Sequence, residues 1–428
     1  MRAVDLVARK RDGGELTRGE LGWLVSGYLG GRVTEGQMAA LLMAGVLRGF
    51  SDAEARALTA VMVDSGVTLD LSGLPGPTID KHSTGGVGDA TTLLVAPLLA
   101  AAGAYVVKLA GRGLGHSGGT IDKLESIPGL RVHLEPDELL RVARDAGCVV
   151  AAQTEQLVPA DRALYALRDM TGTVASTALI ASSVMSKKLA AGAGTIVLDV
   201  KAGAGAFVPT VEGARALARL CVGIGHDAGR RCVAIVSAMD TPLGTAIGSA
   251  LEVAECVRLL EGPPAGRLAG VALELAALAL SLARGDDSVR VRQDLAALWS
   301  RGAALERLAR MIAAQGGDPR VCENPAATLP RAPVRLEALA SRAGVVTHTP
   351  ARALGELAVA LGAGHVDPAA GIELRAQVGD PVEAGQPLAA VHARTRSDAA
   401  HAVTRLTELI EIGEEADPAP TVLDVVRP

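Results

Sequence analysis

Two glycine-rich segments of this chain carry residue types that can hold an anion. The first, Asp80-Lys81-His82-Ser83-Thr84-Gly85-Gly86-Val87-Gly88-Asp89, follows a short β-rich run and precedes a helical stretch from Thr91. A loop between strand and helix exposes backbone N–H groups, and the helix dipole adds positive potential there. Lys81, Ser83 and Thr92 contribute an ammonium and two hydroxyls. The second segment, Lys108-Leu109-Ala110-Gly111-Arg112-Gly113-Leu114-Gly115-His116-Ser117-Gly118-Gly119-Thr120, also follows a β-rich run and leads into a helix. Neither has Walker A or dinucleotide-fingerprint spacing, and a single glycine-rich segment also admits a reading as no more than a tight turn. Two such loops at the carboxyl ends of neighbouring parallel strands face one crevice, and together they suffice for a free phosphate or phosphoryl group.

A third segment places cations on helices. Arg168 closes Tyr165-Ala166-Leu167-Arg168, and Ser183 and Lys187 lie four residues apart, on one helix face. A solvated basic edge is the plain reading. Against it, Lys187 ends an uncharged run of 17 residues, 170–186, which should be mostly buried, where an unpaired cation is costly. Lysine usage points the same way. The chain has seven lysines against 35 arginines, and six of the seven fall between residues 81 and 201. A compact ammonium and a forked guanidinium are not interchangeable, so this stretch has a use for point charges.

Around these segments, residues 1–66 read as helices, with capping-box signatures at Thr17-x-x-Glu20 and Ser51-x-x-Glu54. Residues 70–77 form a turn-rich connector. β-Rich runs at 78–80, 105–109, 148–152, 196–200 and 232–236 alternate with helical stretches, which predicts a mainly parallel α/β sheet. Residues 160–191 interrupt that alternation with two helix-like stretches and are expected to rejoin the N-terminal helices. Residues 249–315 read mostly helical. After Pro330 the composition turns β-rich, and 378–388 reads as a hairpin-like unit.

Composition excludes several classes. The chain has 428 residues, 49% hydrophobic and 21% charged, with a net charge of −5, so it is globular and has no basic footprint for nucleic acid. Seven aromatic residues are too few for a base-stacking surface. Neither long uncharged run, 90–107 or 170–186, is an unbroken apolar span, and the N-terminus has no signal-peptide core. Five scattered cysteines without a CxxC pair read as buried thiols in a reducing cytoplasm.

Taken together, DKHSTGGVGD, GRGLGHSGGTIDKLESIPG, ALRDMTGTV, ASSVMSKKLAAGA and IVLDVKAGAGAF resemble the pyrimidine-nucleoside phosphorylase family nearly residue for residue, and the match covers essentially the whole chain. The resemblance implies reversible phosphorolysis, in which phosphate attacks the anomeric carbon of a pyrimidine nucleoside to give free base and a pentose 1-phosphate. It implies that Lys81, Ser83, Thr92, Lys108 and Thr120 hold phosphate. It also implies that Arg168, Ser183 and Lys187 hold the pyrimidine edge and that His82 lies beside the base carbonyl O2, as a donor of a hydrogen bond or proton. Leu114, Tyr165, Ile180, Val184 and Phe207 match the apolar lining of the base pocket. Gly88, Ala90, Leu243, Ala246 and Glu255 match the positions that hold a monovalent cation, K+, in bacterial members. A homodimer through the helical lobe is likewise implied. Ala110 departs from the family at a position that usually holds a phosphate-binding serine, and Gly172 and Thr177-Ala178 depart between the base-contacting residues.

The expected architecture is a small all-helical lobe (1–66 with 160–191), a large mixed α/β lobe (78–156 with 194–330) and a C-terminal β-rich, barrel-sandwich-like unit (331–428). Hinges are expected at 70–77, near Val158 and at 191–194. Two other readings compete. A phosphoribosyltransferase of the related anthranilate type should show acidic metal ligands near a GTGGD-type loop, whereas this loop reads STGGVGD behind Lys81-His82. A biotinyl or lipoyl carrier, suggested by VGDPVEAGQPLAAV, needs a modifiable lysine, and none follows Lys201.

Overall fold

Helices α1 (Ala3–Arg11), α2 (Arg18–Leu29), α3 (Glu35–Arg48) and α4 (Asp52–Asp64) build the N-terminal part of the computed structural model, which describes residues 1–154 and 156–428. Both sequence-signalled capping boxes form. Thr17 accepts the Glu20 N–H at 3.3 Å while Glu20 accepts the Thr17 N–H at 2.9 Å, and Ser51 with Glu54 repeats the pattern at α4. Thr34 and Gln37 supply a third box. Glu54 also receives the buried Lys10 ammonium at 2.6 Å, locking α1 to α4.

The α/β lobe is a six-stranded sheet. Strands β1 (Thr78–Ser83), β2 (Tyr105–Ala110), β3 (Cys148–Ala152), β4 (Thr195–Ala202) and β5 (Arg231–Ala238) run parallel, and the five β-rich runs of the sequence all become its strands. β3 and β4 are buried throughout, as parallel strands covered on both faces must be. α5 (Thr91–Ala101), α6 (Thr120–Glu125), α7 (Pro136–Ala146) and α10 (Val211–Asp227) follow β1 to β4, while α8 (Pro159–Thr171) and α9 (Thr177–Ala190) intervene between β3 and β4. These two rejoin the N-terminal helices. The Ser182 hydroxyl donates to the Ala55 carbonyl at 3.0 Å, and Leu164, Leu167 and Leu179 share one apolar cluster with Leu24, Leu41 and Met62.

Residues 249–314 are helical: α11 (Ser249–Leu260), α12 (Gly266–Arg284), α13 (Ser288–Ser300) and α14 (Ala303–Ala314). α12 is long and apolar enough to cross a membrane by composition, but 67% of its most apolar window is buried, and its residues sit in the core of this lobe.

The remaining strands are β6 (Ala246–Ile247), β7 (Val334–Leu339), β8 (Gly344–His348), β9 (Gly371–Leu374), β10 (Pro381–Val382), β11 (Pro387–Ala393), β12 (Glu411–Gly413) and β13 (Val422–Val426). They form two small sheets, ordered β10-β8-β12 and β6-β9-β11-β7, while β13 returns to pair antiparallel with β5. The hairpin expected over 378–388 is therefore corrected. β10 pairs with β8, and β11 pairs with β7 and β9 in the other sheet. The reason lies in the partners that each strand finds: a turn closed by the Gln386 N–H on the Glu383 carbonyl and by the Glu383 N–H on the Gln386 side chain, both at 3.0 Å, leads from β10 to β11, but β11 is held by β7 and β9.

Candidate functional site

Both glycine loops leave the carboxyl ends of adjacent strands, the first from β1 into α5 and the second from β2 toward α6. Lys81 lies in β1 and is 2% exposed, and its Nζ donates to Thr91 Oγ1 at 2.5 Å. The Ser83 hydroxyl donates to Asp89 Oδ2 at 2.5 Å and accepts the Gly85 N–H at 3.2 Å, so its proton is turned to a carboxylate. Asp89 is the organiser of this loop. Its other oxygen accepts the Thr91 hydroxyl at 2.6 Å, and although burial opposes its charge, Lys201, Lys81, Ser83 and Thr91 hold its carboxyl below the usual range. Thr92 is buried in the first turn of α5, and Thr120 is the first residue of α6.

Lys108 is buried in β2 and donates to the Leu109 carbonyl at 3.0 Å. Ala110 ends the same strand and is buried. The two loops approach each other at Gly85: a Cβ there would lie 3.4 Å from the Phe207 ring and 3.7 Å from Ser117 Oγ. His116, in the second loop, contacts the Gly205 carbonyl through Nε2 at 2.8 Å and stacks obliquely on Phe207 with 5.5 Å between ring centres. Leu114 and Phe207 are partly exposed on this side.

Across from the loops, α9 presents Ser183 and Lys187 on one face. Lys187 Nζ donates to Ser183 Oγ at 2.8 Å and forms an ion pair with Asp161 of α8. Burial pulls the Lys187 pKa down, and Asp161 is the chief influence raising it. Arg168 is 2% exposed. Its Nε, Nη1 and Nη2 donate to the carbonyls of Thr173, Leu179 and Val174 at 3.3, 3.0 and 2.8 Å, so it orders the α8–α9 turn while its guanidinium lies 5.9 Å from the Tyr165 ring centre. Ile180 and Val184 are half-buried on α9, against the same apolar cluster as Val208, the neighbour of Phe207.

His82 is where the two sets of cations meet. Its pKa is held well below the ordinary 6.5, first by burial and then by Lys108, Lys188, Lys81 and Lys187. Lysines from β1, β2 and α9 thus act on one imidazole, whose Nε2 is buried and has no hydrogen-bond partner among the described residues. The ring is accordingly neutral at physiological pH and offers a hydrogen bond rather than a ready proton. The linkage sign follows: unfolded chain takes up a proton near pH 6.5 and folded chain does not, so this residue's contribution to stability falls as pH drops below 6.5. NMR titration of the His82 ring is expected to find it still neutral at that pH, and a protonated ring there would contradict the electrostatic picture.

Lys188, the neighbour of Lys187, explains how α9 stays registered to the sheet. Its Nζ reaches Asp80 Oδ2 at 2.8 Å and the Leu109 carbonyl at 3.4 Å, touching β1 and β2 together. Asp161, Lys188, Asp80, Asp89 and Thr91 were not singled out by sequence reasoning. Only the lysine clustering signalled any of them. At two of the positions expected to act as hinges, Val158 caps α8 with a φ of +53°, a left-handed conformation costly for a β-branched residue, and Gly192 has a φ of +82° with the Leu69 carbonyl oxygen occupying the space a Cβ would need.

Three family models cover most of the chain. The helical bundle domain of the glycosyl transferase family matches residues 4–66, its a/b domain matches 75–305, and the pyrimidine nucleoside phosphorylase C-terminal domain matches 345–413. A pyrimidine-nucleoside phosphorylase of Bacillus subtilis is 45% identical over 423 residues, 97% of each chain. The chain belongs to the pyrimidine-nucleoside phosphorylase family. A second member, from Geobacillus stearothermophilus, is 44% identical over 99% of both chains. The anthranilate phosphoribosyltransferase of Thermus thermophilus superposes with a TM-score of 0.59 over 74% of this chain and 99% of that one, at 21% identity, and so shares the fold.

Within the family, Ala110 becomes a specific expectation. A side-chain hydrogen bond to a charged group contributes about 1.5–3 kcal/mol. Ala110→Ser is therefore expected to lower the phosphate KM by about tenfold or more while leaving the nucleoside KM unchanged. An unchanged phosphate KM would show that position 110 does not face the anion.

Proposed function

We propose that this chain catalyses the reversible phosphorolysis of pyrimidine nucleosides, releasing free base and a pentose 1-phosphate. The supporting observation is that Lys188, next to Lys187 on α9, reaches Asp80 of β1 at 2.8 Å and the Leu109 carbonyl of β2 at 3.4 Å, which brings the cations of α9 to the strand ends that carry Lys81 and Lys108. Cations contributed by both lobes suit a pair of reactants in which phosphate is anionic and the departing base becomes so.

In this reading the loops from β1 and β2 hold inorganic phosphate through Lys81, Ser83, Thr92, Lys108 and Thr120, beside Ala110. The Ser83 hydroxyl donates to Asp89, so it must turn to donate to a phosphate oxygen. A phosphate oxygen forms the new bond to the anomeric carbon as the bond from that carbon to the base nitrogen breaks, and the bonding pair leaves with the base. Negative charge then grows on the ring nitrogen and the two carbonyl oxygens. Lys187 and Arg168 oppose that charge, with Ser183 in contact with the Lys187 ammonium, and neutral His82 donates to the O2 oxygen. Such groups act mainly in the transition state, because the charge they meet is absent from the bound nucleoside. Leu114, Tyr165, Ile180, Val184 and Phe207 enclose the base.

The anthranilate-type fold is shared with phosphoribosyltransferases, but the lysine-histidine pair before the first loop and the matched C-terminal domain favour phosphorolysis. The test is base release from uridine, thymidine, deoxyuridine and cytidine with and without inorganic phosphate. Release that does not depend on phosphate would refute the reading.

The residues expected to hold K+ fit a hard monovalent cation. Glu255 accepts the Thr245 N–H at 2.6 Å and the Ala246 N–H at 3.1 Å, and a Cβ on Gly88 would come 3.1 Å from the Ala246 carbonyl oxygen, so a carboxylate and backbone carbonyls share one small region. This region opens on a cavity of about 440 Å³ lined by Leu243, Glu255, Arg258 and Arg267. The carbonyls of Gly88, Ala90, Leu243 and Ala246 and the Glu255 carboxylate would hold the ion, whose charge would tie the 243–246 turn to the first loop. A melting temperature that is the same in potassium and in choline chloride would remove this site.

The helical lobe carries exposed Val4, Leu29, Met43 and Leu47, an apolar set that suits a homodimer. Sedimentation of Leu47→Glu as a dimer indistinguishable from wild type would place the contact elsewhere. The five cysteines are free and buried, in keeping with a cytoplasmic enzyme.

A further inference from the structure

Lys123 lies outside the base and phosphate contacts, yet its ammonium touches both glycine loops at once. It sits on α6, 2% exposed, and its Nζ donates to the Asp89 carbonyl of the first loop at 3.1 Å and to the Gly118 carbonyl of the second at 3.0 Å. Its third neighbour is Glu252 of α11, with Oε2 at 3.1 Å and the side chain equally buried. The opposite oxygen, Glu252 Oε1, accepts the Gly248 N–H at 3.2 Å.

We propose that Lys123, backed by Glu252, is a positioning residue that fixes the two loops into one phosphate cradle. The proposal rests on the reading of those loops as the phosphate site. The need for such a strut follows from the sheet. The backbone ladder between β1 and β2 is confined to Thr78–Tyr105 and Ile79–Val106, at the end of the strands remote from the loops. Beyond it the strands carry Lys81 and Lys108, two buried side chains with no ladder pair between them. Lys188 ties the two strands at Asp80 and Leu109, and Lys123 ties the loops beyond them at Asp89 and Gly118. A compact ammonium suits two carbonyls and a carboxylate converging on one point, whereas a planar guanidinium spreads its donors over a wider fork. Burial lifts the Glu252 carboxyl to about 6 even with Lys123 beside it, so the carboxylate depends on that ammonium. Glu252 lies one helical turn before Glu255, so the cation turn and the loop strut share α11.

A buried ion pair also stabilises any fold it belongs to, and the experiment has to separate the two roles. Melting temperature and the KM values for phosphate and nucleoside are measured for Lys123→Met, Lys123→Arg and Lys123→Met/Glu252→Gln, with Lys81→Ala alongside. The double variant removes both charges together and should recover much of the melting temperature lost in Lys123→Met. Its phosphate KM should stay raised by about tenfold or more, the equivalent of one charge-assisted contact, with the nucleoside KM unchanged. Lys123→Arg should not restore the phosphate KM. Recovery of both the melting temperature and the phosphate KM in the double variant would overturn the proposal, as would equal changes in the two KM values. If the Lys123 variants do not fold, Glu252→Gln alone decides: a raised phosphate KM supports the strut and an unchanged one overturns it. If Lys81→Ala leaves the phosphate KM unchanged, the phosphate reading of the loops fails, and not the strut alone.

Discussion

Alanine in place of Lys187 is expected to lower kcat/KM for uridine by about three decades, with little change in the phosphate KM. The size follows from charge. A cation about 4 Å from a unit negative charge, at an effective dielectric near 20, contributes about 4 kcal/mol. At about 1.4 kcal/mol per decade that is close to a thousandfold, and it falls mostly on kcat because the charge grows only as the glycosidic bond breaks. The ion pair with Asp161 and the hydrogen bond to Ser183 hold the ammonium in place. Asp161→Asn should therefore reproduce part of the loss, by releasing the ammonium and removing the chief influence that raises its pKa. Steady-state kinetics with saturating phosphate checks both variants. A loss below tenfold in Lys187→Ala would mean that another cation meets the base.

The second large effect belongs to the other lobe. Lys81→Ala should raise the phosphate KM by about one to two decades, the equivalent of about 1.5–3 kcal/mol for one charge-assisted contact, and leave the nucleoside KM near wild type. Lys81 is already desolvated and its charge is disfavoured by burial, so an anion arriving beside it recovers interaction energy that water does not supply. The variant also leaves the Thr91 hydroxyl without the Lys81 ammonium while its bond to Asp89 persists, so the first loop keeps its shape. A matched rise in both KM values would instead indicate general disorder of the crevice.

Part of this site is legible in the sequence. Local signals carried the strands, the glycine loops and the N-terminal helix caps, because each is fixed by neighbours a few residues away: Thr17 with Glu20, or a β-rich run followed by glycines. The contacts that turn loops into a cradle are distant in sequence. Lys188 finds Asp80 across 108 residues, and β13 finds β5 after the whole C-terminal unit has been built. No periodicity encodes such pairs. The hairpin expectation at 378–388 failed for a related reason: alternating glycines and prolines announce turns, but the partner of each strand is chosen by sheets made elsewhere. What the sequence did offer was composition, in the crowding of lysine into 81–201. Lys123, Lys188 and Lys201 turn out to be paired, buried side chains of 2% exposure or less, close to the three lysines assigned to substrate. The family resemblance extends the reading to individual substrate contacts, which spacing alone leaves open between a turn and a phosphate site.

In the proposed reaction, cations of the α/β lobe and of α9 serve one nucleoside and one phosphate together. Phosphorus NMR of a reaction containing uridine and inorganic phosphate tests it most directly. A ribose 1-phosphate signal should grow in step with free uracil in wild type, and far more slowly in both Lys81→Ala and Lys187→Ala. Uracil released with ribose and no phosphate ester, or undiminished ester formation in either variant, would contradict it.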